Sequence, residues 1–321
     1  MLRNNKNTGV CRCFFIKFKI RVSCEINRIC LILRYFCVLL FKFLTESFGF
    51  YIFIKKTGKG KMTQIIAFAN QKGGVGKTTT AINIGASLAA IKKRVLLIDL
   101  DQQGNAGTGL GFEHASHRQS VYGVIMGTAN IADNILSTAV PNLHLLPSSQ
   151  ALAGADIDLV DMENREFRLR DALQPILPYY DYVLLDCPPA LGFLTINALT
   201  AANSVLIPLQ CEFFALEGVQ QLTDTISIVK EKWNPELDVL GVLLTMYERR
   251  YNVTRAVDDD VRAAFGDKVF KTVVPRNVRV SEAPSHGKPA LFYDFNSTGA
   301  QAYLRVATEV VQRIEGDLDG E

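Results

Sequence analysis

No stretch of this chain is apolar for long enough to cross a membrane as a helix. The most apolar part, Leu31 to Leu44, is interrupted by Arg34 and Lys42, and Glu46 follows closely; a spanning helix needs about 20 predominantly apolar residues. No small-residue cleavage site follows it, which argues against a secretory signal. Cysteine is scarce where a fold would use it. Of 7 cysteines, Cys11, Cys13, Cys24, Cys30 and Cys37 fall within the first 61 residues, and only Cys187 and Cys211 lie beyond. Two widely spaced thiols make no disulfide framework and suit a reducing cytoplasm. Cys187 belongs to no C-x-x-C pair and has no neighbouring histidine, so it reads as a small buried thiol, not a metal ligand.

Most of the chain also lacks positive charge. The formal net charge is +3 over 321 residues, yet residues 1–61 hold 13 Lys and Arg against 2 Asp and Glu, so the remainder is acidic overall. Nucleic-acid binding there needs a local basic patch. The first 61 residues show no sustained period of 2 or 3.6. We expect them to be an atypical extension outside the working fold, translated upstream sequence and not a membrane-surface anchor or targeting segment. The functional domain is then expected to span 62–321, beginning at Met62.

What is present centres on Asn70-Gln71-Lys72-Gly73-Gly74-Val75-Gly76-Lys77-Thr78-Thr79. An apolar run, Ile65 to Ala69, precedes it and a helical pattern starting near Thr79 follows, with Ile84, Leu88 and Ile91 on one face. Strand, Gly-rich turn and helix form a phosphate cradle. Backbone N–H groups converge on an anion at the positive end of the helix. Lys77 would neutralise β and γ phosphates, and Thr78 would place its hydroxyl on a magnesium ion. The strict pattern G-x-x-x-x-G-K-[ST] fails, because Gln71 stands where its first glycine should be, and a second lysine, Lys72, follows.

Two further strands deliver acids to the same end of an open sheet. Val95 to Ile98 leads to Asp99 and Asp101, and Tyr182 to Leu185 leads to Asp186, Cys187 and paired prolines. Asp186 would hold a magnesium-bound water. Asp99 reads equally as a strand-end cap or as a functional acid. Strands are also expected near Leu143 to Leu146, at Val205 to Leu209, Val239 to Thr245 and Val269 to Val274. Helices are expected near Val121 to Met126, from Leu152 to about Leu177 with a solvated charged face (Glu163, Arg165, Glu166, Arg168, Arg170), and from about Ala215 to Lys232. This alternation predicts an α/β fold with a mainly parallel, doubly wound sheet flanked by helices.

The string K-G-G-V-G-K-T-T resembles the deviant Walker A motif of the ParA/Soj family of chromosome and plasmid partitioning ATPases. The likeness continues through Asp101-Gln102-Gln103-Gly104-Asn105, Tyr247-Glu248-Arg249-Arg250-Tyr251 and Val274-Pro275-Arg276-Asn277-Val278-Arg279-Val280, and runs nearly unbroken from Met62 to about Ile314. Gln102 stands where the family usually has proline. The resemblance implies a P-loop NTPase of the SIMIBI type with ATP and Mg2+ as cofactors, acting as a cytoplasmic, nucleoid-associated ATPase. It implies that Lys72, Gly73, Gly74, Val75, Gly76, Lys77, Thr78 and Thr79 hold the nucleotide, with Pro275 and Asn277 lining the adenine pocket. Lys72, reaching across a dimer interface, Lys77 and Asp101 would serve hydrolysis, and Thr78 with Asp186, the latter through water, would hold the metal. Arg250 and Arg279 would bind DNA. The implied partners are a second copy of the chain in the ATP state, nonspecific double-stranded DNA, and a ParB/Spo0J-type centromere-binding protein that stimulates hydrolysis.

A MinD-like membrane-positioning ATPase is the alternative. It needs a basic amphipathic C-terminal helix, whereas this chain ends Glu315-Gly316-Asp317-Leu318-Asp319-Gly320-Glu321. Leu304, Val306, Val310, Val311 and Ile314 are expected to pack on the domain instead. The nitrogenase iron-protein relatives share the loop but hold an iron–sulfur cluster, and Cys187 and Cys211 lack the surroundings for one. His286 is expected to act as a loop hydrogen-bonder, not a catalytic base.

Overall fold

The computed structural model describes residues 62–112, 120–212 and 215–316. The extension expected at 1–61 lies outside these residues. Seven strands form one sheet: β1 (Gln64–Phe68), β2 (Val95–Asp99), β3 (Leu136–Ser137), β4 (Leu143–Leu146), β5 (Tyr182–Asp186), β6 (Ser204–Gln210) and β7 (Asp238–Thr245). Their order is β3-β4-β2-β5-β1-β6-β7, and every pairing is parallel except that of the short edge strand β3 with β4. The inner strands are near-continuous apolar runs because both faces are covered. On one face Ile66, Phe68, Leu97, Leu184 and Leu206 join a core with α1 (Lys77–Ala90) and the C-terminal helix Thr298–Glu315. The alternate residues Ile65, Ala67, Leu96, Ile98, Val183, Leu185, Val205 and Ile207 are equally buried and face the opposite layer, where α2 (Phe193–Ala201) and α3 (Ala215–Lys232) pack on each other and on β1 and β6. The remaining long helices are α4 (Asn252–Phe265) and α5 (Thr298–Glu315).

From β1 the chain passes over the place of β5 to form β2, and later returns to add β6 on the other side of β1. The order therefore reverses beside β1, and the crevice beyond its carboxyl end is where such sheets hold ligands. In that crevice stand the turn after β1, Asp99 at the end of β2 and Asp186 at the end of β5.

The structure departs from the sequence expectation at four places. The helical region expected from Leu152 to about Leu177 is broken into short pieces, Gln150–Gly154, Ala155–Asp158, Arg165–Phe167 and Arg168–Leu173. Asn164, in the left-handed conformation at φ 53°, interrupts it. Its charged run is no simple solvated face, since Arg168 donates to the Ile125 carbonyl and Arg165 lies 4.5 Å from the centre of the Phe193 ring. Val269 to Val274 forms no regular strand. Phe270 and Val274 donate to carbonyls of β7, but between them the N–H groups of Lys271 and Thr272 turn to the Glu309 carboxylate of α5. Ile91 lies past the end of α1 and is exposed, while Ile84 and Leu88 are buried. Val306, Val310 and Val311 of α5 enter the core as expected, with Ile314 packed against it.

Candidate active site

The turn after β1 is shaped for an anion. Gly74 and Gly76 have φ of 77° and 87°, values that side chains rarely adopt. Gly76 immediately precedes α1, which has no side-chain cap and no acid in its first turn. No carboxylate from the helix's own first turn therefore competes for the first N–H groups of this 14-residue helix. The turn is held from beneath: Thr245, at the end of β7, donates its hydroxyl to the Val75 carbonyl at 2.8 Å, and the buried Asn70 spans from the Pro208 carbonyl of β6 to the Lys72 N–H. Gly73, Thr78 and Thr79 complete the stretch, and the Thr79 carbonyl accepts from Asn83.

The two lysines are placed differently. Lys77 is buried, and its ammonium donates to the Lys72 carbonyl at 3.3 Å. Burial lowers its pKa, opposed by Asp186, Cys187 and Asp101. Lys72 is half-buried, and its ammonium is paired with Glu212, two residues beyond β6.

Two aspartates, Asp186 and Asp101, act on Lys77, and a third, Asp99, lies beside Asp186. Asp99 and Asp186 lie opposite each other in the β2–β5 register, both fully buried. Asp99 accepts from the Asp101 and Ala106 N–H groups at 3.1 and 3.0 Å, so it braces the loop that carries Asp101. Burial raises its pKa to about 7, with those hydrogen bonds opposing. Asp101 accepts from the Gln103 N–H, and its carbonyl accepts from the Ser148 hydroxyl. Asp186 is the exceptional group. Among the described residues neither of its carboxylate oxygens has a hydrogen-bond partner. Burial and then the Asp99 carboxyl push its pKa well up, while Thr78 and Lys77 pull the other way without closing a hydrogen bond to either oxygen.

A buried carboxylate without partners is costly unless something else satisfies it. A hard divalent cation with its waters fits that need. The donors at hand, the Asp186 carboxylate and the Thr78 hydroxyl, are oxygens of the kind magnesium takes. Among the described residues no group of three or more His, Cys, Asp or Glu could cage a metal alone. Such an ion would therefore share its coordination with phosphate oxygens and water, as magnesium does in nucleotide sites. Cys187 is a buried thiol whose pKa burial raises, and it donates weakly to the Leu185 carbonyl.

Two loops flank the crevice on the β7 side. Tyr247 bridges to Pro275, joining the loop after β7 to the segment 274–277. Asn277 caps the short helix Val278–Glu282 by accepting from the Val280 N–H, and it donates to Thr298. Glu248 pairs with both Arg250 and Arg276 at 2.7 Å, and Arg279 pairs with Glu282 and Asp294. Arg250 is the most exposed of these three arginines, with its side chain 73% exposed. His286 stacks on Tyr293, with ring centres 4.8 Å apart. The structure thus gathers the turn, Asp101 and Asp186 in one crevice, and sets Arg250 and Arg276 on surface loops and Arg279 on the short helix Val278–Glu282. Sequence reasoning gave Asn70, Thr245, Ser148 and Glu212 no part in the site. Their roles depend on which strands are neighbours, and a strand's own residues do not carry that information.

A family model described as an AAA domain matches residues 63–239. The chromosome partitioning protein ParA of Caulobacter vibrioides is 55% identical over 252 residues, covering 78% of this chain and 94% of that protein. The sporulation initiation inhibitor protein Soj of Bacillus subtilis is 55% identical over 249 residues, covering 78% and 98%. Among solved structures, a cobyrinic acid a,c-diamide synthase from Mycobacterium smegmatis with bound ADP and magnesium superposes with a TM-score of 0.70 at 38% identity, covering 79% of this chain and 96% of that one. The septum site-determining protein MinD of Pyrococcus horikoshii, complexed with Mg-ADP, superposes at 0.63 with 26% identity, covering 78% and 96%.

Proposed function

This chain belongs to the ParA/Soj family of chromosome-partitioning ATPases, and from that premise we propose that it is a magnesium-dependent ATPase whose ATP-bound dimer binds DNA without sequence preference. The observation that carries the reading is the Asp186 carboxylate, buried and unpartnered beside Thr78 and Lys77 at the mouth of the turn. Magnesium with its waters supplies the missing positive charge there and screens the phosphates from the three aspartates.

The chain's own residues do the rest. Gly73, Gly74, Val75, Gly76 and the start of α1 offer backbone N–H groups to the phosphates, and Lys77 gives up the Lys72 carbonyl to neutralise them. Thr78 and Asp186 hold the cation, Asp186 through water. Asp101, braced by Asp99 and Ser148, orients the attacking water. Pro275 and Asn277 flank the base. Lys72 reaches the nucleotide of the second subunit, so hydrolysis waits for the dimer. Phosphoryl transfer is mostly positioning and charge stabilisation, so a ParB/Spo0J-type partner that orders Lys72 and Asp101 would accelerate a slow basal rate.

Arg250 and Arg279 supply the DNA contact, and dimerisation doubles it. Each phosphate neutralised adds about 0.9 to the slope of log affinity against log salt, so doubling the contacts makes binding strongly dependent on the nucleotide state. DNA binding places the protein on the nucleoid in the cytoplasm. The MinD-like alternative gains nothing from α5, whose valines are turned into the core, and no helix among the described residues is long and apolar enough to cross a membrane. The deciding experiment is DNA binding with ATP and with ADP across a salt series, beside Asp101→Ala and Arg250→Ala. ATP-dependent binding that persists in Asp101→Ala and weakens in Arg250→Ala is expected. Absence of binding with either nucleotide would remove DNA from the mechanism.

A further inference from the structure

Lys72 is tied to its own subunit at three points. Its N–H donates to Asn70, which is itself anchored to the Pro208 carbonyl of β6 at 2.8 Å. Its carbonyl accepts the Lys77 ammonium, and its own ammonium is paired with Glu212. Glu212 is well placed for this. It follows the end of β6, its N–H donates to the Gln210 carbonyl at 2.8 Å, and its carbonyl accepts from Ala215 at the start of α3. The ion pair therefore bridges the turn after β1 and the turn after the adjacent strand β6.

We propose that Glu212 is a positioning residue that stores the Lys72 side chain on its own subunit and surrenders it when nucleotide is bound. The proposal rests on the reading above, in which Lys72 must leave to reach the partner subunit's nucleotide. Binding and release are linked through one residue. Phosphate takes the Lys77 ammonium, which removes the hydrogen bond on the Lys72 carbonyl and leaves the Glu212 pair as the last side-chain hold. That pair is weak enough to yield, since both side chains are more than a third exposed, 40% for Lys72 and 45% for Glu212, and pairs so exposed shift equilibria by only about fivefold at most.

The test uses the full chain as wild type, Glu212→Gln, Lys72→Ala and the double variant. The first measurement is the rate at which a small amine-acylating reagent modifies Lys72 in nucleotide-free protein, read by peptide mass spectrometry. Glu212→Gln is expected to raise it several-fold, while Lys92, exposed just past the end of α1, is unchanged. The second is the ATP concentration giving half-maximal dimer by light scattering, expected to fall by about two- to fivefold in Glu212→Gln. In the Lys72→Ala background the same change is expected to have no effect, which a merely structural role for Glu212 would not produce. Unchanged Lys72 acylation in Glu212→Gln would overturn the latch, as would a dimerisation change of equal size with and without Lys72. Wild-type protein that stays monomeric with ATP would instead overturn the dimer reading, and the acylation result would still decide the latch.

Discussion

Replacing Asp186 by asparagine should make the nucleotide-free protein more stable, although it removes a residue assigned to the metal. The carboxylate is fully buried, and neither oxygen has a partner. Lys77 attracts it, but burial and the Asp99 carboxyl outweigh that attraction, and the pKa of Asp186 is raised well above the ordinary range. Asparagine keeps the shape, removes the charge and exchanges one acceptor oxygen for an amide donor. The penalty relieved is that of an unpaired buried charge, on the order of 1–3 kcal/mol. For a domain of this size each kcal/mol moves the Tm by about 2–4 °C. The sign with pH follows from proton counting. A carboxyl with a raised folded pKa holds its proton longer in the native state than in the unfolded chain, so stability is full at low pH and falls as pH climbs through the folded value. Asp99, with a pKa raised to about 7, acts the same way, so the nucleotide-free wild type should lose stability between about pH 4 and pH 7. Thermal unfolding of wild type and Asp186→Asn at pH 5 and pH 8 checks this: the variant's advantage should be clear at pH 8 and small at pH 5. With magnesium and ATP the order should reverse, because only the wild type gains the cation. A variant less stable than wild type at pH 8 without nucleotide would refute the reasoning.

Lys77→Ala removes the buried ammonium that meets the phosphates, and ATP affinity should fall by roughly 10- to 100-fold, the worth of a hydrogen bond to a charged group; equilibrium binding of a fluorescent ATP analogue reads it, and unchanged affinity would remove Lys77 from the site. Arg250→Ala should lower the slope of log affinity against log salt by about 0.9 per subunit contact while leaving ATP turnover without DNA unchanged; an unaltered slope would mean that Arg250 touches no phosphate. Gly287→Ala should destabilise the fold by about 1–3 kcal/mol in denaturant unfolding, because Gly287 has φ 61° and an added Cβ would lie 2.5 Å from the Cα of Gly111. A stability within error of wild type would show that the 283–288 turn is free to move from Gly111.

How far the sequence could be read depended on how local the cause was. The apolar runs ending in Asp99 and Asp186, and the glycines around Lys77, are local features: β2 and β5 stand where those residues placed them, and α1 follows the turn but starts at Lys77, ahead of the expected Thr79. Helix α3 runs from Ala215 to Lys232 as its periodicity indicates. The failures occur where a distant group decides. Val269 to Val274 has the composition of a strand, but Glu309 of α5 captures two of its N–H groups and the ladder with β7 breaks. The stretch 152–177 has charges at helical spacing but too few apolar positions to fix one long helix, and Asn164 reverses the backbone within it. Ile91 fits the period of α1 only on paper, since the helix ends at Ala90.

The charge arrangement explains why the site needs both an anion and a cation. Asp101 and Asp186 act on one buried lysine, Asp99 adds a third acid beside Asp186, and the second lysine is neutralised by Glu212. Acids therefore outnumber free cations, and a polyphosphate arriving alone would meet Lys77 together with carboxylates that repel it. Burial raises the pKa values of Asp99 and Asp186 in the resting protein, which shifts both toward the protonated form and lowers the cost of the excess. Magnesium carried in with the phosphates would displace those protons, so binding of magnesium and ATP should release protons, and more of them at pH 6 than at pH 8. Calorimetry in two buffers of different ionisation enthalpy measures that number directly. A count of zero at pH 6 would mean that Asp99 and Asp186 are already ionised in the resting protein, and the electrostatic account of the site would then fail with it.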